Sequence, residues 1–144
     1  MRALGLALAL LVLAAPAQAD QNDIRLGPLF QTLQKTSDAQ QIQLTVLQIW
    51  QIWYETQNKN AAALLAAGER EVTRGRLDDA LAIFDELVTV APDFAEAWNR
   101  RATALYLLGD FAASIADCRK VLALEPRHFG ALWGMAEMHR QRGE

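Results

Sequence analysis

Two histidines, one cysteine and two pairs of adjacent acids are the residues of this 144-residue chain whose types could do chemistry. His128 and His139 lie 11 residues apart, and no second ligand stands at zinc-site spacing from either. His128 follows Pro126 in what reads as a turn and is expected to be a solvated loop histidine. Cys118 is the sole cysteine, so no internal disulfide forms. A lone thiol near a histidine is a candidate nucleophile, yet no glycine-rich elbow or oxyanion loop accompanies it. It is expected to be a small buried apolar residue. Asp78-Asp79 and Asp85-Glu86 look like carboxylate pairs for acid–base work. They fall at the start and on the outer face of a predicted helix, where acids favour the dipole or water. The expectation is a non-enzyme with no catalytic residue, no metal and no cofactor.

The elements that carry these residues recur. Gly75, Gly109 and Gly143 are 34 residues apart, as are Pro92 and Pro126. Ala63, Ala97 and Ala131 repeat the interval, and so do Ala82 and Ala116. That period is the length of a helix–turn–helix unit that stacks on copies of itself. Helices are predicted over 61–73, 78–90, 95–107 and 111–124, with another starting at Phe129. Glycine closes the first helix of each unit and proline the second. No strand is predicted after the leader.

The leader is residues 1–19. Met1-Arg2 is followed by the apolar run Ala3–Ala15, then Pro16 and Ala17-Gln18-Ala19. This is the pattern of a secretory signal peptide cut between Ala19 and Asp20; the other reading is an uncleaved anchor. The run is shorter than the roughly 20 residues that cross a bilayer, so stable membrane insertion is not expected. No cysteine follows for lipid attachment. Removing the leader takes Arg2 away and leaves 13 basic against 17 acidic residues. That balance argues against nucleic acid as partner, and 125 residues suit one domain.

Residues 20–60 are predicted to form a helical hairpin. Leu26, Leu29, Phe30 and Leu33 pattern its first helix, and Ser37 with Gln40 forms a capping box for the second. Ile42, Val46, Ile49, Trp50 and Trp53 then share one face. Leu44, Leu47 and Tyr54 make a second apolar stripe, and a helix apolar on two faces is expected to be buried on both. Trp50 and Trp53 read either as the core of this hairpin or as a docking surface.

Residues 61–144 resemble the tetratricopeptide repeat. Counting Ala61 as position 1, Leu64, Gly68, Ala80, Phe84 and Pro92 take positions 4, 8, 20, 24 and 32. The next unit places Trp98, Ala102, Ser114, Cys118 and Pro126 there, and the third places Leu132 and Ala136 before the chain ends. Small residues at 8 and 20 let the helices of a hairpin approach, and large ones at 4 and 24 fill the adjoining space. His139, at position 11, is expected to pack. Glu71 and Leu105 depart from a favoured tyrosine. Arg101 departs from leucine, so its stem is expected to pack while its charge reaches water. The resemblance implies an all-α, right-handed solenoid of units 61–94, 95–128 and a partial 129–144. The hairpin 20–60 would be a degenerate unit capping the stack. With its leader, the chain is similar to small periplasmic repeat proteins of Gram-negative bacteria.

The resemblance also implies a concave groove lined by positions 2, 5, 9, 12 and 13 of each first helix. Glu69, Glu96, Asn99, Arg100, Thr103, Tyr106, Trp133, Glu137 and Arg140 are the expected peptide-binding residues. An ordinary solvated helix face is the other reading of the same set. Some family members clamp a C-terminal carboxylate with cations. The matching positions here are Leu65, Glu69, Arg100, Gly130 and Gly134, so Arg100 alone could serve and that clamp is not expected. The function read from this is a periplasmic module that binds a peptide or partner protein. The alternative is an assembly subunit acting through its capping helix and open C-terminal end. Leu132, Met135, Ala136 and His139 face the place of a missing second helix. The expectation is a chain that continues further, or a homo-oligomer that covers this face.

Overall fold

The computed structural model describes residues 21–143. The leader and its cleavage point lie outside the described residues. Seven helices and no strand occur among those described: α1 (Leu26–Lys35), α2 (Ala39–Tyr54), α3 (Lys59–Thr73), α4 (Leu77–Val90), α5 (Ala95–Leu107), α6 (Phe111–Leu124) and α7 (Phe129–Arg142). None of them is long and apolar enough to cross a membrane. From α3 onward the helix bounds fall within two residues of those predicted.

The repeat dictates the turns. Gly75, Gly109 and Gly143 follow α3, α5 and α7 with φ of 73°, 84° and 73°. This left-handed conformation is open to glycine and strained for other residues. α4 and α6 begin two residues after Gly75 and Gly109. Asp110 caps α6 by accepting from the Ala113 N–H, and Asn58 caps α3 through Asn60 and Ala61. Asp38, not Ser37, caps α2, accepting from the Gln41 N–H at 2.7 Å. Thr36 lies between: its hydroxyl donates to Gln41 and accepts from the Asp38 N–H.

Within each hairpin the small residues do what their spacing implies. A Cβ on Gly68 would sit 2.2 Å from the Phe84 ring, so α3 and α4 approach as closely as glycine permits. In the next hairpin the Ser114 hydroxyl donates to the Ala102 carbonyl at 2.7 Å. Phe84, Leu87 and Ala80 anchor one core around α3–α5, and Val121, Cys118, Ile115 and Met138 another around α5–α7. Burying each large apolar side chain stabilises by about 1.5–3 kcal/mol. Arg101 departs from expectation. Its guanidinium grips Asp117 with two bonds of 2.7 Å, reaches Asp85 at 3.0 Å and covers the Trp98 ring at 4.8 Å. Its charge is neutralised by α4 and α6 and holds them together.

The N-terminal hairpin does not extend the stack as a further unit beside α3. The backbone of α2 runs against α5, and its tryptophans meet the start of α7. Trp53 stacks on His128 at 4.1 Å and 12°, and lies against Phe129 at 4.8 Å. Trp50 meets the same two rings edge-on at 5.5 and 5.2 Å. Arg127 covers Phe30 at 4.4 Å. Ahead of α1, Gln21 donates to the Asp93 carbonyl and accepts from the Ala95 N–H, supplying the cap that Phe94 cannot give α5. The two apolar faces of α2 have different fates. Ile49, Ile52 and Trp53 are buried, whereas Leu44 and Leu47 are 55% and 58% exposed.

Candidate functional site

Turns of fixed geometry set α5 and α7 side by side with their first-helix faces outward, and α2 lies across the N-terminal part of that face. Where α2 stops covering it, a cleft of about 370 Å³ opens between α5 and α7. Asn99, Arg100, Thr103 and Tyr106 reach it from α5, and Trp133 and Glu137 from α7. The structure thus brings six of the nine predicted residues to one cleft. Cys118 and Met138 form part of its apolar lining, and Trp50 supplies a wall from α2. Sequence reasoning did not place Trp50 there. Gly130 and Gly134, one helical turn apart on α7, keep the opposite wall bare. A Cβ on Gly130 would come within 2.6 Å of Trp50, whereas one on Gly134 has only the Cys118 sulfur, 3.8 Å away. That pair of glycines inside a predicted helix was the available signal for a cleft wall.

The polar lining is largely committed to internal bonds. Thr103 donates back to the Asn99 carbonyl. The Tyr106 ring stacks on Phe111 at 5.6 Å, and its hydroxyl accepts from Gln141. Glu137 accepts from Arg140 and Gln141, and these bonds hold its carboxyl at about 2. Arg140 does not line the cleft; it is an exposed side chain that positions Glu137. Trp133 is 70% exposed at the rim.

Glu96 is a correction. Its position in the repeat faces the groove, but α2 and the start of α7 cover it, and it is 1% exposed. It does not line the cleft. Its carboxylate accepts from Asn99 at 3.1 and 3.2 Å and from Arg100 at 2.6 Å, and it meets His128 Nε2 at 3.1 Å. Asn99 is likewise 7% exposed, its amide spent on Glu96. His128 is a second correction: it is fully buried, not a solvated loop residue. Its Nδ1 accepts from the Ala131 N–H as the cap of α7, which assigns the ring proton to Nε2 and makes that nitrogen the donor to Glu96. Burial pushes the Glu96 carboxyl above its ordinary range, with the bond from His128 opposing.

Arg100 sits on the ridge between this cleft and a smaller one of about 240 Å³, where Glu69, Val72 and Thr73 of α3 face Thr103. It binds Glu96, approaches Glu69 at 3.6 Å and covers the Tyr54 ring at 4.6 Å. Burial lowers its guanidinium to about 10. Burial also raises the half-buried Glu69 carboxyl. With two acids and a ring already on it, Arg100 is no free cation for a ligand carboxylate.

Known proteins share this architecture. Residues 65–126 match the family described as tetratricopeptide repeat. A TPR repeat-containing protein of Rhizobium etli is 34% identical over 119 residues, which cover 83% of this chain and 58% of that protein. The Hsp70-Hsp90 organizing protein of Triticum aestivum is 39% identical over 62 residues, 43% of this chain and 11% of its own length. Among solved structures, the TPR2AB-domain:pHSP90 complex of yeast Sti1 aligns with a TM-score of 0.57 at 21% identity, covering 81% of this chain and 47% of that one. The chain thus spans less than two thirds of each of these proteins. Repeat length, hairpin packing and these likenesses agree: the chain is a tetratricopeptide-repeat protein.

Proposed function

We propose that this protein is a non-enzymatic periplasmic interaction module, and that the cleft between α5 and α7 receives a segment of a partner protein. One observation carries this reading. A concave site of about 370 Å³ has the size of a ligand pocket, mostly apolar walls, and a rim tryptophan left exposed. Tryptophan is among the side chains most enriched where binding energy concentrates, and a partner segment seated in the cleft would bury it. The repeat family supports a binding role over a catalytic one. The Sti1 structure carries pHSP90 in its name, but a ligand of this chain differs in kind from one held by a cationic clamp. Arg100 is occupied, and Leu65, Glu69, Gly130 and Gly134 hold the remaining clamp positions. The cleft suits one or two large apolar side chains of an otherwise neutral segment. The leader 1–19 supports export.

Capture of partners from a periplasmic extract tests both parts. Gly134→Leu fills the cleft and Trp133→Ala removes its rim anchor; both are expected to reduce capture at least about tenfold. Capture at full strength by both variants would place the partner elsewhere. The recovered protein is expected to begin at Asp20, and intact Met1 on membranes would overturn the location. The assembly reading has its own support in the exposed leucines of α2.

A further inference from the structure

The exposed face of α2 has a symmetry that its buried face does not explain. At 100° per residue, Gln40, Leu44, Leu47 and Gln51 fall within a narrow stripe, flanked by Gln43 on one side and Gln48 on the other. All six are exposed. The stripe reads the same in both directions: about the point between Thr45 and Val46, Leu44 mirrors Leu47, Gln43 mirrors Gln48, and Gln40 mirrors Gln51. None of the 16 residues of α2 is charged. The stripe lies on the far side of the helix from Ile49 and Trp53, which bind the repeats.

We infer that α2 pairs with α2 of a second copy of this chain, antiparallel about a twofold axis that passes between Thr45 and Val46. A twofold interface is self-complementary: residue i meets j of the partner, and j meets i. In an antiparallel pair centred there, each Leu44 meets the other copy's Leu47, and glutamines meet glutamines. A carboxylate or ammonium facing its own kind would repel. A glutamine amide carries both donor and acceptor and can pair with another glutamine. The mirrored spacing is what an antiparallel pair requires. A partner of unrelated sequence makes no such demand, and a surface kept apart from its own copies would carry charge. A helix of this length spans about 24 Å, and such a pair buries less than the ~1,200 Å² of a standard interface. The dimer is therefore a weak one.

Sedimentation of the mature chain, from low micromolar to about 1 mM, tests this. The expected result is reversible monomer–dimer exchange, with no larger species attributable to α2. Leu44→Lys with Leu47→Lys sets lysine against lysine across the axis and is expected to weaken association at least about tenfold. Leu44→Lys with Leu47→Glu sets each lysine against the other copy's glutamate and is expected to associate at least about tenfold more tightly than the double-lysine form. Both pairs replace exposed residues, so helix content by circular dichroism is expected to match the wild type. A wild type that stays monomeric overturns the proposal. So does a double-lysine form that dimerises as well as the wild type, which would move the contact to another surface such as the one around Leu132 of α7. Equal behaviour of the two double variants overturns the antiparallel register.

Discussion

His128 donates to Glu96 at 3.1 Å, 32 residues back along the chain, and neither side chain reaches solvent. The pair ties the cap of α7 to the first turn of α5, under the ring of Trp53. A buried ion or dipole stripped of one partner is costly, whereas replacing both partners by apolar groups often is not. His128→Ala is therefore expected to lower unfolding stability by about 2–4 kcal/mol. Asn99 and Arg100 also donate to Glu96, so Glu96→Leu is expected to cost at least as much, and its combination with His128→Phe should cost less than the two single losses added together. Denaturant unfolding of the two singles and the double decides it, and additive losses would contradict the coupling.

Two carboxyls are expected to titrate in opposite directions from the ordinary 4.5 of a glutamate. Burial favours the neutral form of Glu96, so its contribution is fully present below the unfolded value and is lost as pH rises through the raised folded value. Arg140 and Gln141 favour the charged form of Glu137, so its contribution is present above the unfolded value and is lost as pH falls toward about 2. Carboxyl NMR titration should resolve Glu96 above the usual range, with the half-buried Glu69 also raised, and Glu137 below it. Glu96→Gln should abolish the Glu96 titration and leave that of Glu137.

Three glycines predict three different outcomes on substitution by alanine. Gly68→Ala drives a methyl into the Phe84 ring and is expected to destabilise by about 1–3 kcal/mol. Gly130→Ala presses on Trp50 and should loosen the hairpin, shifting tryptophan emission to the red. Gly134→Ala meets only ordinary contact and gains helix propensity, so it should stabilise by up to about 1 kcal/mol. Thermal unfolding with fluorescence detection separates the three.

The thiol of Cys118 is buried, and burial raises it to about 11. Its reaction with a disulfide reagent near pH 8 is expected to be far slower than that of a free thiol, and to reach the free rate in denaturant. Fast modification of the native protein would contradict the packing around α6 and α7.

The repeat was legible because its punctuation is local. Gly75, Gly109 and Pro126 act on the turns they occupy, and Gly68 with Phe84 meets inside one hairpin. The seat of the N-terminal hairpin was not legible, because it depends on pairs far apart in the chain. The spacing of Trp50 and Trp53 announces burial without saying against what. His128 looks like a loop residue until Trp53 is laid on it. Glu96 does face the groove, as its position in the repeat implies; α2 closes the groove over it. The six cleft residues were readable from the repeat frame alone. Trp50 was not, since it enters from outside that frame.

The indole N–H of Trp53 is buried with no hydrogen-bond partner, so the contact that seats the hairpin carries an unpaid polar group. Arrays of stacked units ordinarily unzip from their ends, each unit answering only to its neighbours. Here the first hairpin grips the start of α7, a contact that reaches past the units in between. Loosening the first turn of α7 removes part of the seat of α2, and release of α2 uncovers the carboxylate of Glu96. The N-terminal hairpin and the start of α7 are therefore expected to melt together, although they are not neighbours along the chain.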